Sequence, residues 1–178
     1  MRKLIIILAV LMTVAPGSVQ AQVTIDMSRV TCANYLAMSP AQTSTFSAWM
    51  SGWYNHKWGY TSVGLNDFAR NIASIKQFCT TSPQETIMAA LDRAIPQPAP
   101  VTGQIKIDMS LIKCKQYLES DPERKELIGA WMSGYVSAST NRSIFDFQRF
   151  ANNTRTVGNY CKKRGGETLM SAIQASAR

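Results

Sequence analysis

The chain has 178 residues, with 19 lysines and arginines against 11 aspartates and glutamates and a single histidine, a formal net charge of +8 at pH 7. The basic excess is moderate and is not gathered into a dense stripe with interleaved aromatics, which excludes a nucleic-acid-binding role. No nucleophile and base recur at matching spacing and no glycine-rich phosphate loop follows a strand, so the sequence is read as neither an enzyme nor a cofactor protein.

The N-terminus carries Arg2 and Lys3, an apolar run from Leu4 to Val14, and a polar stretch ending Val19-Gln20-Ala21. That layout predicts a signal peptide over residues 1–21, cleaved after Ala21. The apolar run is shorter than the roughly 20 residues a bilayer crossing needs, and no cysteine follows to accept a lipid, so no membrane span is expected. An exported protein beginning at Gln22 is expected. Removing Arg2 and Lys3 from the 19 basic residues leaves 17 against 11 acidic, a charge of +6.

A short helix is predicted from Cys32 to Met38. Ser39 before Pro40 supplies an N-cap oxygen followed by a residue with no amide to orphan, and a helix over about 40–56 follows. Its apolar stripe is Phe46, Trp49, Met50 and Trp53, at i, i+3, i+4 and i+7. A second stripe, Leu65, Phe68, Ala69, Ile72, Ile75, Phe78 and Cys79, predicts a third helix ending near that cysteine. Ser82-Pro83-Gln84-Glu85 has the pattern of a capping box and is predicted to open a fourth helix with Ile87, Met88 and Leu91 on one face. Alternate prolines at Pro96, Pro98 and Pro100 mark a semi-rigid linker over 96–102.

Beyond the linker the chain repeats itself at one constant offset, without gaps. Asp26-Met27-Ser28 falls on Asp108-Met109-Ser110, Cys32 on Cys114, Phe68-Ala69 on Phe150-Ala151, Cys79 on Cys161 and Glu85-Thr86 on Glu167-Thr168. The string AWMSG occurs as residues 48–52 and again as 130–134. Asp121-Pro122 repeats the start signal of the long helix, predicting its twin over about 122–138 with Ile128, Trp131, Met132 and Tyr135 on its stripe. The fourth helix of the second copy opens on Arg164-Gly165-Gly166-Glu167, which lacks the cap, and is expected to start less firmly. No stretch alternates long enough to predict a sheet. The fold class expected is all-α: two tandem domains, 22–95 and 103–178, of about four helices each. On its helix the box places tryptophan and methionine on the apolar stripe, while serine and glycine trim a face another helix can approach; it is expected to hold each small unit together.

Four cysteines in an exported chain read as disulfides and allow three pairings. A unit that once stood alone had only its own two, which favours Cys32 with Cys79 and Cys114 with Cys161. Each bridge should stabilise its unit by roughly 4 kcal/mol in the chain-entropy model. A zinc site is the competing reading, but no CxxC occurs and His56 has no twin, so no metal is expected.

The two copies, through TCANYLAMSP, SAWMSGW and FARNIASIKQFCTTSPQET in the first and IKCKQYLESDP, GAWMSGY and FANNTRTVGNYCKKRGGET in the second, resemble the HdeA/HdeB family of periplasmic acid-stress chaperones, nearer the HdeB branch. The resemblance implies an all-α domain with one disulfide tying its first helix to its long third one. It also implies an ATP-independent holdase, folded as a dimer near neutral pH, that loosens in acid and exposes apolar surface to unfolding periplasmic proteins. With two units in one chain, that dimer is expected either as an intrachain pseudo-dimer or as a homodimer.

The candidate client-binding surface is Trp49, Trp53, Trp58, Tyr60, Trp131 and Tyr135, of which Trp58 and Tyr60 have Thr140 and Arg142 as counterparts. The acidic positions shared by both copies, Asp26 with Asp108 and Glu85 with Glu167, are the candidate pH sensors, the alternative being ordinary helix caps. Protonating every carboxylate and charging His56 would take the 17 basic residues beyond Ala21 to +18, enough self-repulsion to loosen small domains. The other reading of the same helices is an exported module that binds an envelope partner or inhibits a secreted enzyme, without chaperone activity.

Overall fold

The computed structural model describes residues 24–95 and 105–176. The predicted signal peptide and the Pro-rich linker lie outside the described residues. The first copy runs β1 (Thr24–Asp26), α1 (Cys32–Leu36), α2 (Pro40–Lys57), β2 (Ser62–Gly64), α3 (Leu65–Thr81) and α4 (Ile87–Ala94). The second repeats the order as β3 (Lys106–Asp108), a 3-10 turn at Met109–Leu111, α5 (Cys114–Glu119), α6 (Pro122–Ser139), β4 (Ile144–Asp146), α7 (Phe147–Lys163) and α8 (Leu169–Ser176).

The long helices start where the serine–proline and aspartate–proline signals place them. Ser39 Oγ accepts from Gln42 N at 3.3 Å while Gln42 Oε1 accepts from Ser39 N at 3.1 Å, and Asp121 Oδ1 accepts from Arg124 N at 2.8 Å. The Cys32–Cys79 disulfide pins the start of α1 to the end of α3, and Cys114–Cys161 pins α5 to α7, each bridging 47 residues. All four cysteines are fully buried.

The fourth helices begin later than the capping-box reading has it. Thr86 and Thr168 are the caps, accepting from Ala89 N and Ser171 N at 3.2 Å each, so α8 is capped as firmly as α4. The preceding segment is a turn because its carbonyls are committed elsewhere. Pro83 O and Glu85 O accept from Ala33 N and Cys32 N, at 2.9 and 2.8 Å, and Gly165 O and Glu167 O do the same for Lys115 N and Cys114 N, at 3.0 and 2.9 Å. These are the orphan amides at the starts of α1 and α5, and carbonyls continuing a helix would be spent inside it.

The sequence predicts no sheet, but among the described residues two antiparallel two-stranded sheets form, and each pairs one copy with the other: β1 with β4, Ile25 opposite Phe145, and β2 with β3, Val63 opposite Ile107. The copies therefore exchange strands reciprocally. Between the two seams α2 packs along α6, the most extensive contact in the molecule, so the chain folds as an intrachain pseudo-dimer. The core continues across this boundary, with Phe145 and Ala130 of the second copy in the cluster built on Trp49, Phe46 and Tyr35 of the first.

Candidate functional site

Both AWMSG boxes meet at the face between the two copies. Gly52 lies against the backbone of α6 and Gly134 against that of α2. A Cβ on Gly52 would sit 1.8 Å from Trp131 O, and one on Gly134 would sit 1.9 Å from Trp49 O. The two glycines thus let α2 and α6 cross at backbone contact. The box does two things: its tryptophan and methionine sit in the core of their own copy, as the sequence suggested, and its glycine brings the two copies together.

Four of the six candidate aromatics are packed into this crossing. Trp49 is 1 % exposed, stacked on Phe46 at 6.0 Å and tilted against Phe145 of the other copy at 5.4 Å. Trp131 is 2 % exposed and donates from Nε1 to Ser51 Oγ across the boundary at 3.2 Å. Tyr135 stacks on Trp131 and meets the His56 ring edge-on at 4.8 Å. Trp53, half-buried, donates from Nε1 to the Arg142 carbonyl at 3.1 Å. Trp58 is half-buried beside Tyr54, and its Nε1 is buried without a partner among the described residues. Of the six, Tyr60 alone is exposed.

The candidate sensors separate into two kinds. Asp26 and Asp108 end β1 and β3 and sit at the two seams. Asp26 Oδ1 accepts from Ser28 N at 3.0 Å, from Ser28 Oγ at 2.7 Å, and from Ser143 Oγ of the other copy at 3.2 Å. Asp108 Oδ1 accepts from Ser110 N and Ser110 Oγ at 3.0 and 2.7 Å, and the Thr61 side chain of the other copy also hydrogen-bonds the Asp108 carboxyl. The Ser28 and Ser110 hydroxyls, more than any other group, hold the two carboxyls below their ordinary value of 3.8, with Ser143, Arg29 and Thr61 acting in the same direction against partial desolvation. The adjoining backbone repeats the symmetry, Met27 N donating to Ser143 O and Met109 N to Thr61 O at 2.9 Å each. Glu85 and Glu167 lie elsewhere, on the surface, paired with Arg93 at 3.3 Å and Arg164 at 3.5 Å, and Glu167 also accepts from Tyr160 Oη at 2.6 Å.

Sequence reasoning missed the seam hydroxyls, although Thr61 and Ser143 occupy equivalent positions and a search for shared hydroxyls would have found them. It also missed the hydrogen bond from the buried Thr45 hydroxyl to Glu126, which crosses the boundary once because the equivalent positions hold Leu127 and Ser44. Among the described residues no group of histidine, cysteine, aspartate and glutamate side chains could hold a metal ion, and no helix is long and apolar enough to cross a membrane.

The fold defines a class: a duplicated, disulfide-pinned helical unit whose copies bury a tryptophan face against each other. Two successive matches to the HdeA/HdeB family model, over residues 2–89 and 86–171, span that duplication, and the chain belongs to the HdeA/HdeB family. No curated protein and no solved structure matched the chain.

Proposed function

We propose that the protein is an ATP-independent periplasmic acid-stress holdase, closed at neutral pH and opening between its two copies in acid. The observation that carries this reading is the burial of Trp49 and Trp131, with Tyr135 and Trp53 beside them, in a boundary closed at both ends by carboxylate-centred seams. The sign of the pH response follows from those carboxyls. Asp26 and Asp108 have folded-state values below 3.8, so their contribution is present above that value and is lost as pH falls through the lower folded values. Acid therefore weakens both seams together while the chain gains positive charge throughout, and the copies repel.

Each copy keeps its own disulfide, which limits opening to separation and loosening. The surface then presented is tryptophan-rich and carried on a strongly cationic body, which keeps a complex with an unfolding client dispersed. The test is aggregation of an acid-denatured client enzyme at pH 2–4 and at pH 7. Suppression in acid alone is expected, and suppression at neither pH refutes the proposal. One stoichiometric partner captured from periplasm at pH 7, without suppression in acid, would instead identify an exported binding module.

A further inference from the structure

The copies differ in one respect the boundary does not explain. In the first, Tyr35 Oη and Ser47 Oγ share a hydrogen bond of 2.8 Å, and the Tyr54 ring fills the space beside α4, its hydroxyl donating to Ile95 O at 3.4 Å. The positions equivalent to Ser47 and Tyr54 are Gly129 and Val136. Both replacements remove side-chain volume, and a cavity of about 330 Å³ stands there, between α6, α7, α8 and β4. Trp49 of the first copy forms one wall, with Phe145 and Phe150 beside it.

Three features describe what would fill it. The engineered cavity of about 150 Å³ that holds benzene sets the scale, so 330 Å³ takes roughly a dozen heavy atoms. The aromatic walls favour a flat apolar body. Tyr117, 3 % exposed, lines the cavity, and the position of the serine that shares a hydrogen bond with its twin is Gly129. Burial raises its pKa above the ordinary 10.0, so at neutral pH it is a protonated donor facing the void. At the mouth stand Arg142 and Arg149 against one carboxylate, Asp146, which is engaged in accepting from Arg149 N at 2.9 Å and from Thr24 Oγ1 at 3.3 Å. The rim is net positive.

We propose that this cavity in the second copy binds a small aromatic carboxylate, its ring against Trp49, Phe145 and Phe150 and its carboxylate at Arg142 and Arg149. The proposal does not depend on the acid-chaperone reading and is tested at pH 7 on the whole chain, with 4-phenylbutyrate as the probe. Calorimetric titration is expected to show saturable one-to-one binding, and probe at a hundred times its dissociation constant should lower the unfolding constant about 100-fold.

Val136→Tyr and Gly129→Ser restore the residues of the first copy and should each abolish or strongly weaken binding. Gly129→Ser is sterically mild, since a Cβ there meets its nearest neighbour, Tyr117 Oη, at 3.6 Å. Arg142→Ala with Arg149→Ala, both on the surface, should weaken the carboxylate roughly ten-fold or more, as loss of charge-assisted hydrogen bonds does, and leave the neutral 4-phenylbutanol unchanged. No saturable binding at millimolar probe, undiminished binding by the Gly129→Ser variant, or equal binding of acid and alcohol to the unaltered chain would each overturn the proposal.

Discussion

Gly52→Ala tests whether the two copies are held at backbone contact. The added Cβ would lie 1.8 Å from Trp131 O, 2.7 Å from Trp131 C and 3.0 Å from Tyr135 N, whereas ordinary contact begins at 3.4 Å. The difference, about 1.6 Å, must be met by moving α6, because the obstacle is its main chain and has no rotamer to change. Overpacking of this kind costs about 3 kcal/mol, the top of the usual range. Losing the Trp131–Ser51 hydrogen bond adds about 1 kcal/mol. Alanine's better helix propensity returns about 1 kcal/mol. The expected net loss is about 3 kcal/mol, read as a lowered urea midpoint at pH 7. Gly158→Ala is the matched control: it lies inside α7 with nothing within 4 Å of the added Cβ, and should gain up to about 1 kcal/mol. If Gly52→Ala unfolds within 1 kcal/mol of the unaltered chain by the same assay, backbone contact is not what holds the crossing.

Because Gly52→Ala forces the copies apart, it should also bind an apolar dye and suppress client aggregation at pH 7; a variant that is destabilised yet inactive at neutral pH would disconnect the crossing from client binding. Asp26→Asn together with Asp108→Asn should lower stability at pH 7 and flatten its fall below about pH 4, where the ionised seams are otherwise lost; chemical denaturation at stepped pH gives the slope, and an unchanged slope places the acid response elsewhere. Cys32→Ser with Cys79→Ser should cost roughly 4 kcal/mol in the chain-entropy model and let the first copy lose its helix in acid, so far-ultraviolet circular dichroism at pH 2 should fall where the unaltered chain keeps most of its signal.

The helices were legible because each carries its own signal: a cap and proline at Ser39-Pro40 and Asp121-Pro122, and apolar stripes at helical spacing. The disulfides were legible through the duplication. What escaped depends on the other copy. Thr24–Asp26 and Ile144–Asp146 are three residues each, too short to show alternation, and become strands only through pairing that no local pattern records. The turn before α4 misled for a related reason: Ser82-Pro83-Gln84-Glu85 has capping chemistry, but the needs of the α1 amides outrank it. At the candidate site, Asp26 and Asp108 stood out as shared acids, while their opposite donors Ser143 and Thr61 did not, since nothing in one copy says which surface of the other it will face. The small residues of AWMSG announced close approach without saying which helix would come.

If acid parts the copies as proposed, strand exchange sets how the molecule closes again. Among the described residues neither copy completes its own sheets, because β1 and β2 pair with β4 and β3 of the other. When the copies part, four strand edges lose their pairing together, and such edges recruit any strand that meets them, including those of a neighbouring chain. Because both copies lie in one chain, the proper partner stays tethered, at an effective concentration on the order of millimolar for a short connection. Re-pairing after neutralisation is therefore first order in protein: its half-time should not lengthen on dilution, and chains swapped with one another should accumulate only when the protein concentration approaches that of the tether.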